Sequence, residues 1–336
     1  MSKPIAYYVT EPGFTNLANA GVVRADNQHT LDLSGYLPIS FGANNSWYAK
    51  CATAMRLAYL ALTLPSQSRV IFHLPVYSAA NKWLLKILCK KNVDTIAVIV
   101  DIDGLRDHDN VLLAQELATI GLFKKLVVHN HRMQLYLQQQ LPQVPSIPIH
   151  LFDYRSNTAV QQHSPTNSIC FAGNFSKAGF VNQLGNIPGI QFNLYGNNYQ
   201  PSIAQNVQYH GSFSSAALPG ILQGSFGLVW DGPDISCCND YLLYNNPHKL
   251  SLYLAAGMPV IAWSSSAVAD FILEQQVGLV IENLQQLPDV VKHLPLHQYQ
   301  QMQQQAIAIG KKVRTGFYLN AALEQWYPLK AARGNL

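Results

Sequence analysis

The residues best equipped for chemistry cluster at the start of one short apolar segment, Tyr244–Ile261, where Asn246, Pro247, His248 and Lys249 precede Leu250-Ser251-Leu252-Tyr253-Leu254. Asn246 suits a helix N-cap and Pro247 the first helical position, where its missing N–H would have no partner anyway. Leu250, Tyr253 and Leu254 make an i, i+3, i+4 apolar stripe. Gly257 supplies a left-handed stop, and Pro259 keeps the helix from continuing. Val260-Ile261-Ala262-Trp263 follows as a buried strand. The entrance of such a helix offers unpaired backbone N–H groups and the positive end of the dipole. With Lys249 in the first turn, that combination favours a bound anion. An ordinary helix of an α/β layer with a solvated lysine explains the same residues equally well.

Other polar residues fall where ligands of α/β proteins bind, at the C-terminal ends of apolar runs. Lys177 follows Cys170-Phe171 and a Gly173-Asn174 turn. Ser212-Phe213 follows Tyr209-His210-Gly211, and Asp231 follows Trp230. Together with the Pro247–Lys249 start they predict a site for a phosphate-containing ligand in the second half of the chain. Asp101-Ile102-Asp103 ends another apolar run and leaves three readings open. Paired carboxylates can hold Mn²⁺ or Mg²⁺ against a diphosphate; one alone can deprotonate an acceptor hydroxyl; or both are solvated loop acids. His73 ends its run as a polar loop residue. Glu274 could contact a ribose from its helix, and a solvated helix face explains it as well. Cys237-Cys238 is a vicinal pair to which no role is assigned. No P-loop, G-x-S-x-G or H-E-x-x-H is present.

The elements that position these residues alternate between strand and helix. Ile5–Val9, Arg69–Pro75, Asp94–Gly104 and Leu126–His129 are predicted strands, with helices at 46–64 and 82–89 and another capped by Asn130. The unbroken apolarity of Asp94–Gly104 fits a parallel strand covered on both faces. From Gln138 to Ser168 the pattern dissolves into Gln, Pro, Ser and Thr, as in an interdomain connection. A second alternating series follows, with strands at 169–174, 192–196, 207–211, 227–232, 260–263 and 277–281. Two tandem α/β domains facing a cleft are therefore expected. Their boundaries are 1–155 and 156–315, with a final helix in 316–336 returning to the first domain.

The chain has 336 residues, 49% of them hydrophobic, and 22 Lys+Arg against 18 Asp+Glu. No basic block or stripe stands out, so nucleic acid is not indicated; the mildly basic balance suits an anionic small substrate or transient contact with an anionic membrane surface and decides between neither. Nothing resembles a signal peptide or a membrane span. Five cysteines without C-x-x-C spacing exclude a disulfide framework or zinc site. A cytoplasmic protein is expected.

On Phe171–Lys177, Gly224–Trp230 and Pro247–Ile261, the second half resembles the GT-B glycosyltransferases. It is most similar to the bacterial family whose glucosyltransferases extend O-linked GlcNAc on serine-rich adhesins, a family that includes galactofuranosyltransferase-like members. The resemblance implies two Rossmann-like domains and transfer of a hexose, glucose in the first reading, from a UDP-sugar to a glycan or glycopeptide. The alternatives are a galactofuranosyltransferase and a non-catalytic UDP-sugar-binding scaffold. It implies no cofactor or metal, since a lysine and a helix N-terminus can offset the charge of the leaving diphosphate. By the same likeness Lys177 and Lys249 reach the diphosphate, Ser212 and Phe213 lie by the nucleoside, and Pro247, His248, Lys249, Leu250, Ser251 and Leu252 surround uridine and phosphates. Asn16 and Asn19 face the donor from the first domain. Asp101 becomes the candidate base, although Val100 stands where the family carries His. Inversion at the anomeric carbon and a homo-oligomer complete what the resemblance implies.

Overall fold

In the computed structural model, residues 5–11, 20–42, 46–201 and 204–327 are described. The chain divides into two compact units, Met1–Ile149 with Leu319–Leu336, and His150–Tyr318.

The first unit is built on six parallel strands: β1 (Ala6–Val9), β2 (Leu37–Ile39), β3 (Arg69–Leu74), β4 (Asp94–Ile99), β5 (Lys125–Val128) and β6 (Ser146–Pro148), in the order β2-β1-β3-β4-β5-β6. β3 and β4 pair without interruption from Arg69–Asp94 to Leu74–Ile99, and five residues of each are buried, as continuous apolarity demands. β4 is shorter than the predicted strand. The chain turns at Val100 and a one-turn helix takes up Asp103–Arg106. β6 lies inside the stretch expected to be pure connection. It adds a three-residue edge in which Pro148 is tolerated, since an edge strand needs fewer donors. Helices start where side chains can cap them: Ser78 Oγ accepts from Asn81 N at 3.1 Å, and Asn130 Oδ1 from Met133 N at 3.0 Å.

The helix Phe317–Trp326 buries Leu319, Ala322 and Leu323. Beyond it Tyr327 locks onto the first sheet. Its hydroxyl donates to the Asp94 carboxylate, Lys125 Nζ donates to both at 3.0 Å, and the Arg69 guanidinium lies 3.4 Å from its ring centroid.

The second unit also carries six parallel strands: β7 (Ser168–Asn174), β8 (Gln191–Asn197), β9 (Val207–Tyr209), β10 (Phe226–Val229), β11 (Val260–Trp263) and β12 (Gly278–Ile281). Their order is β12-β11-β10-β7-β8-β9. Against this sheet packs the helix His248–Ala255, whose Leu250, Tyr253, Leu254 and Ala255 are fully buried. The approach is so close that a Cβ at Gly227 would stand 2.1 Å from Tyr253 Cγ. Gly257 ends the helix at φ +77°, the left-handed stop expected of it, and Met258 N returns to Tyr253 O at 2.9 Å.

Candidate functional site

In the second sheet the chain runs from β7 to β8 and β9 on one side, then resumes with β10, β11 and β12 on the other. Strand order therefore reverses between β7 and β10, and ligands of open α/β sheets bind beyond the strand ends at such a point. Lys249 delivers its ammonium there. Nζ donates to the carbonyl of Trp230, the residue just past β10, at 2.7 Å, and lies 4.7 Å from the ring centroid of Phe171 on β7. Partial burial pushes its pKa down, with Asp231 and Cys238 opposing. No described carboxylate forms an ion pair with it. An ammonium held partly out of water with no carboxylate in ion-pair contact favours an incoming anion.

The helix behind this lysine starts one residue later than the sequence suggests. Pro247, at φ −62° and ψ 126°, is the N-cap, and no side chain caps the first turn. Asn246 is instead buried, its side-chain N–H donating to His150 O at 3.0 Å. Proline's fixed φ already satisfies the extended cap geometry, which frees the Asn amide for that carbonyl. The first backbone N–H groups of the helix consequently have no partner within it. His248 stacks on Tyr154 at 4.8 Å, with Nε2 3.3 Å from Asp153 O; burial lowers its pKa to about 4, so it is neutral at pH 7. Leu250 and Leu252 belong to the core, and buried Ser251 donates Oγ to Phe152 O at 2.7 Å. Of the six residues from Pro247 to Leu252, Lys249 alone sends its side chain to the strand ends. The others can meet a ligand only through the backbone or by holding the helix in place.

Lys177 is exposed at the end of a 3₁₀ turn, Phe175–Lys177, directly after β7. Asn174 builds that turn: its Oδ1 accepts from Ser176 N at 3.1 Å and from Asn198 Nδ2 at 2.9 Å. Ser212 and Phe213 are exposed after β9. The Phe213 ring lies 6.2 Å from Tyr195, which stacks on His210 at 4.8 Å. All of these occupy the C-terminal edge of one sheet.

In the first unit, Asn16 and Asn19 lie outside the described residues. Asp101 and Asp103 do come together, but around an arginine. Arg106 Nη1 pairs with Asp101 Oδ2 and with Asp103 Oδ1, the latter at 2.9 Å. Asp103 Oδ2 also accepts from Tyr77 OH at 2.8 Å, and Asp101 Oδ1 from Ile102 N at 3.2 Å. The guanidinium takes the position that a bridging divalent cation would need, so this donor set does not fit the Mn²⁺ or Mg²⁺ alternative. No cluster of three His, Cys, Asp or Glu suited to a metal occurs among the described residues. Glu116 accepts from the amides of Asp103 and Gly104 at 3.1 and 2.8 Å, fixing the loop. A cavity of about 100 Å³ opens beside these groups, lined by Tyr77, Lys82, Asp101, Asp103, Gln115 and Glu116 among others. His73 is no loop residue. It lies inside β3 with neither ring nitrogen hydrogen-bonded, and burial lowers its pKa to about 3.

Arg106, Tyr77, Glu116 and Tyr154 escaped sequence reasoning. Only Arg106 left a readable signal, its i, i+3 spacing from Asp103.

Residues 169–326 match the family described as Glucosyltransferase 3-like, C-terminal domain. The chain is 33% identical over 247 residues to the beta-1,6-galactofuranosyltransferase WbbI of Escherichia coli K12, covering 68% of this chain and 70% of that protein. It is 32% identical over 120 residues to Glucosyltransferase 3 of Streptococcus gordonii, 35% of this chain and 36% of the relative. Anabaena HepE, solved with UDP and glucose, superposes with a TM-score of 0.61 at 10% identity, covering 96% and 99% of the two chains. At that identity the likeness is one of fold.

Proposed function

Because the chain belongs to the Glucosyltransferase 3-like family of GT-B hexosyltransferases, we propose that it moves glucose from UDP-glucose to a glycan or O-GlcNAc-modified protein without a metal ion. The observation that carries this reading is the Lys249 ammonium at the strand-order reversal, with an uncapped helix start behind it. As the bond between the anomeric carbon and the diphosphate oxygen breaks, the electron pair leaves with UDP. Lys249, Lys177 and the first-turn amides offset that charge where it develops. Phe213 and Ser212 flank the nucleoside. The acceptor oxygen attacks the anomeric carbon, and its proton passes to Asp101, on the oxygen that now accepts the 3.2 Å contact from Ile102 N. A single base acting in this way inverts the anomeric centre. Arg106 between the two acids supports the metal-free form, in which activity survives EDTA. Homo-oligomerisation belongs to the same proposal and is read by light scattering. No helix among the described residues is long and apolar enough to cross a membrane.

Calorimetry with UDP tests the site. Lys249→Ala is expected to weaken binding by about 1–3 kcal/mol, the value of a charge-assisted contact, or roughly ten- to a hundredfold in Kd. Unchanged affinity overturns the assignment. The relative named a beta-1,6-galactofuranosyltransferase favours a second reading, in which the donor is UDP-galactofuranose. A donor panel separates the two by which sugar is transferred.

A further inference from the structure

Between Asp32 and Asp94 the chain contains no acidic residue, yet it carries Lys50, Arg56, Arg69, Lys82, Lys86, Lys90 and Lys91. Subtracting these seven from the 22 Lys+Arg leaves 15 against all 18 Asp+Glu, so the rest of the chain is net acidic. The positive charge of the whole protein is thus concentrated in 61 residues, 33–93.

Two neighbouring helices of the first unit, Trp47–Thr63 and Ala79–Lys90, present most of it; Lys91 Nζ ties them by donating to Ala61 O. Arg69 is turned to the Tyr327 ring, whereas Lys50, Arg56, Lys82, Lys86 and Lys90 are exposed. The helix Trp47–Thr63 has no buried residue at all. At 100° per residue, Trp47, Leu62, Met55, Tyr48 and Tyr59 fall within an arc of about 120°. That arc points outward: Leu62 is 85% exposed and Trp47 71%. Trp83 of the adjoining helix is exposed as well, with Lys86 Nζ 5.1 Å from its ring.

A helix of a water-soluble domain ordinarily turns its apolar arc inward. An outward arc of Trp, Tyr, Met and Leu flanked by lysine and arginine is instead the composition of an element lying in a bilayer interface, where aromatic rings occupy the headgroup level and cations meet anionic lipid. We propose that helices Trp47–Thr63 and Ala79–Lys90 form a docking face for an anionic phospholipid membrane. Charge decides between occupants: in a two-fold contact a second copy would bring the same acid-free surface against itself, while a negative bilayer is complementary to it. The face does not depend on the donor chemistry of the second unit, so it stands or falls separately from the proposed transfer reaction.

Vesicle co-sedimentation of the full chain tests it, with phosphatidylcholine alone and with phosphatidylglycerol added. Binding is expected only to the anionic vesicles, weakening as salt is raised, with a blue shift of tryptophan emission. At about 1 kcal/mol per cation near the surface, the double variant Lys50→Glu/Arg56→Glu should lower partitioning by tenfold or more. Leu62→Glu should remove the emission shift with circular dichroism unchanged. Equal binding to both vesicle types, no binding to either at low salt, or undiminished binding of the folded variants overturns the proposal. So does light scattering that shows these same variants dissociating an oligomer while vesicles are ignored.

Discussion

Both units are six-stranded parallel sheets, but their strand ends carry opposite chemistry. In the second, Lys249 is held at the strand-order reversal with a carbonyl as its only described hydrogen-bond partner. In the first, Asp101 and Asp103 share the single charge of Arg106, which also pairs with Asp107, and are fixed by Tyr77 and Ile102 N. A cation with no ion-pair partner in contact marks where an anionic ligand is expected. A cluster cross-linked by one guanidinium marks positioned machinery, whose worth lies in geometry. The same contrast holds for helices. His248–Ala255 is sunk in its core, whereas Trp47–Thr63 buries nothing.

The largest test of this contrast is Gly227→Ala. The new methyl would meet Tyr253, which is fully buried and accepts from Ala172 N at 2.8 Å. Overpacking there is expected to cost about 3 kcal/mol or more, read in a denaturant titration as loss of the second unit's transition with the first unit's unmoved. A single shared shift would show that the units do not unfold independently.

Acidification should act next. Burial holds His73 and His129 at about 3 and His248 at about 4, all below the ordinary imidazole value of 6.5. Below pH 6.5 the unfolded chain takes up protons that the folded imidazoles refuse. Stability therefore falls as pH falls, by up to roughly 1.4 kcal/mol per pH unit for each group. The contribution of His248 stops growing near pH 4, while those of His73 and His129 in the first unit continue to about 3. Thermal melting between pH 7 and 4 checks the sign; a flat profile would contradict these buried neutral imidazoles.

Arg106→Ala has the smallest expected effect, about 1–2 kcal/mol, because its guanidinium is 31% exposed and solvent screens the pairs. It should destabilise the first unit and leave UDP affinity untouched, the reverse of Lys249→Ala. A loss of UDP affinity would erase the distinction between the two strand ends.

Two parallel α/β units and most of their strands were legible because parallel strands buried on both faces leave unbroken apolar runs, as in Asp94–Ile99 and Ile169–Phe171; the GT-B assignment came from the resemblance of the second half. The edge strands β2 and β6 were not, since three residues containing a proline carry no periodic signal. The site was legible in part. The lysine in the first turn could be placed, because a capped apolar stripe fixes where a helix begins to within a residue. That Ser251 would hold Phe152 O, or that Arg106 would close on Asp101, could not be read, since both depend on loop paths that spacing does not encode.

The lock formed by Tyr327 on Asp94, Lys125 and Arg69 bears on the order of synthesis. Domains ordinarily fold as they leave the ribosome, N-terminal first. Here the first sheet emerges early, but its closing element, Leu319–Tyr327, comes only after the whole second unit. Until then, among the described residues, the Asp94 carboxylate and Lys125 Nζ pair only with each other. The unit that starts first is therefore completed last, and a ribosome-bound chain ending at Tyr318 would carry a finished second unit beside an unsealed first one.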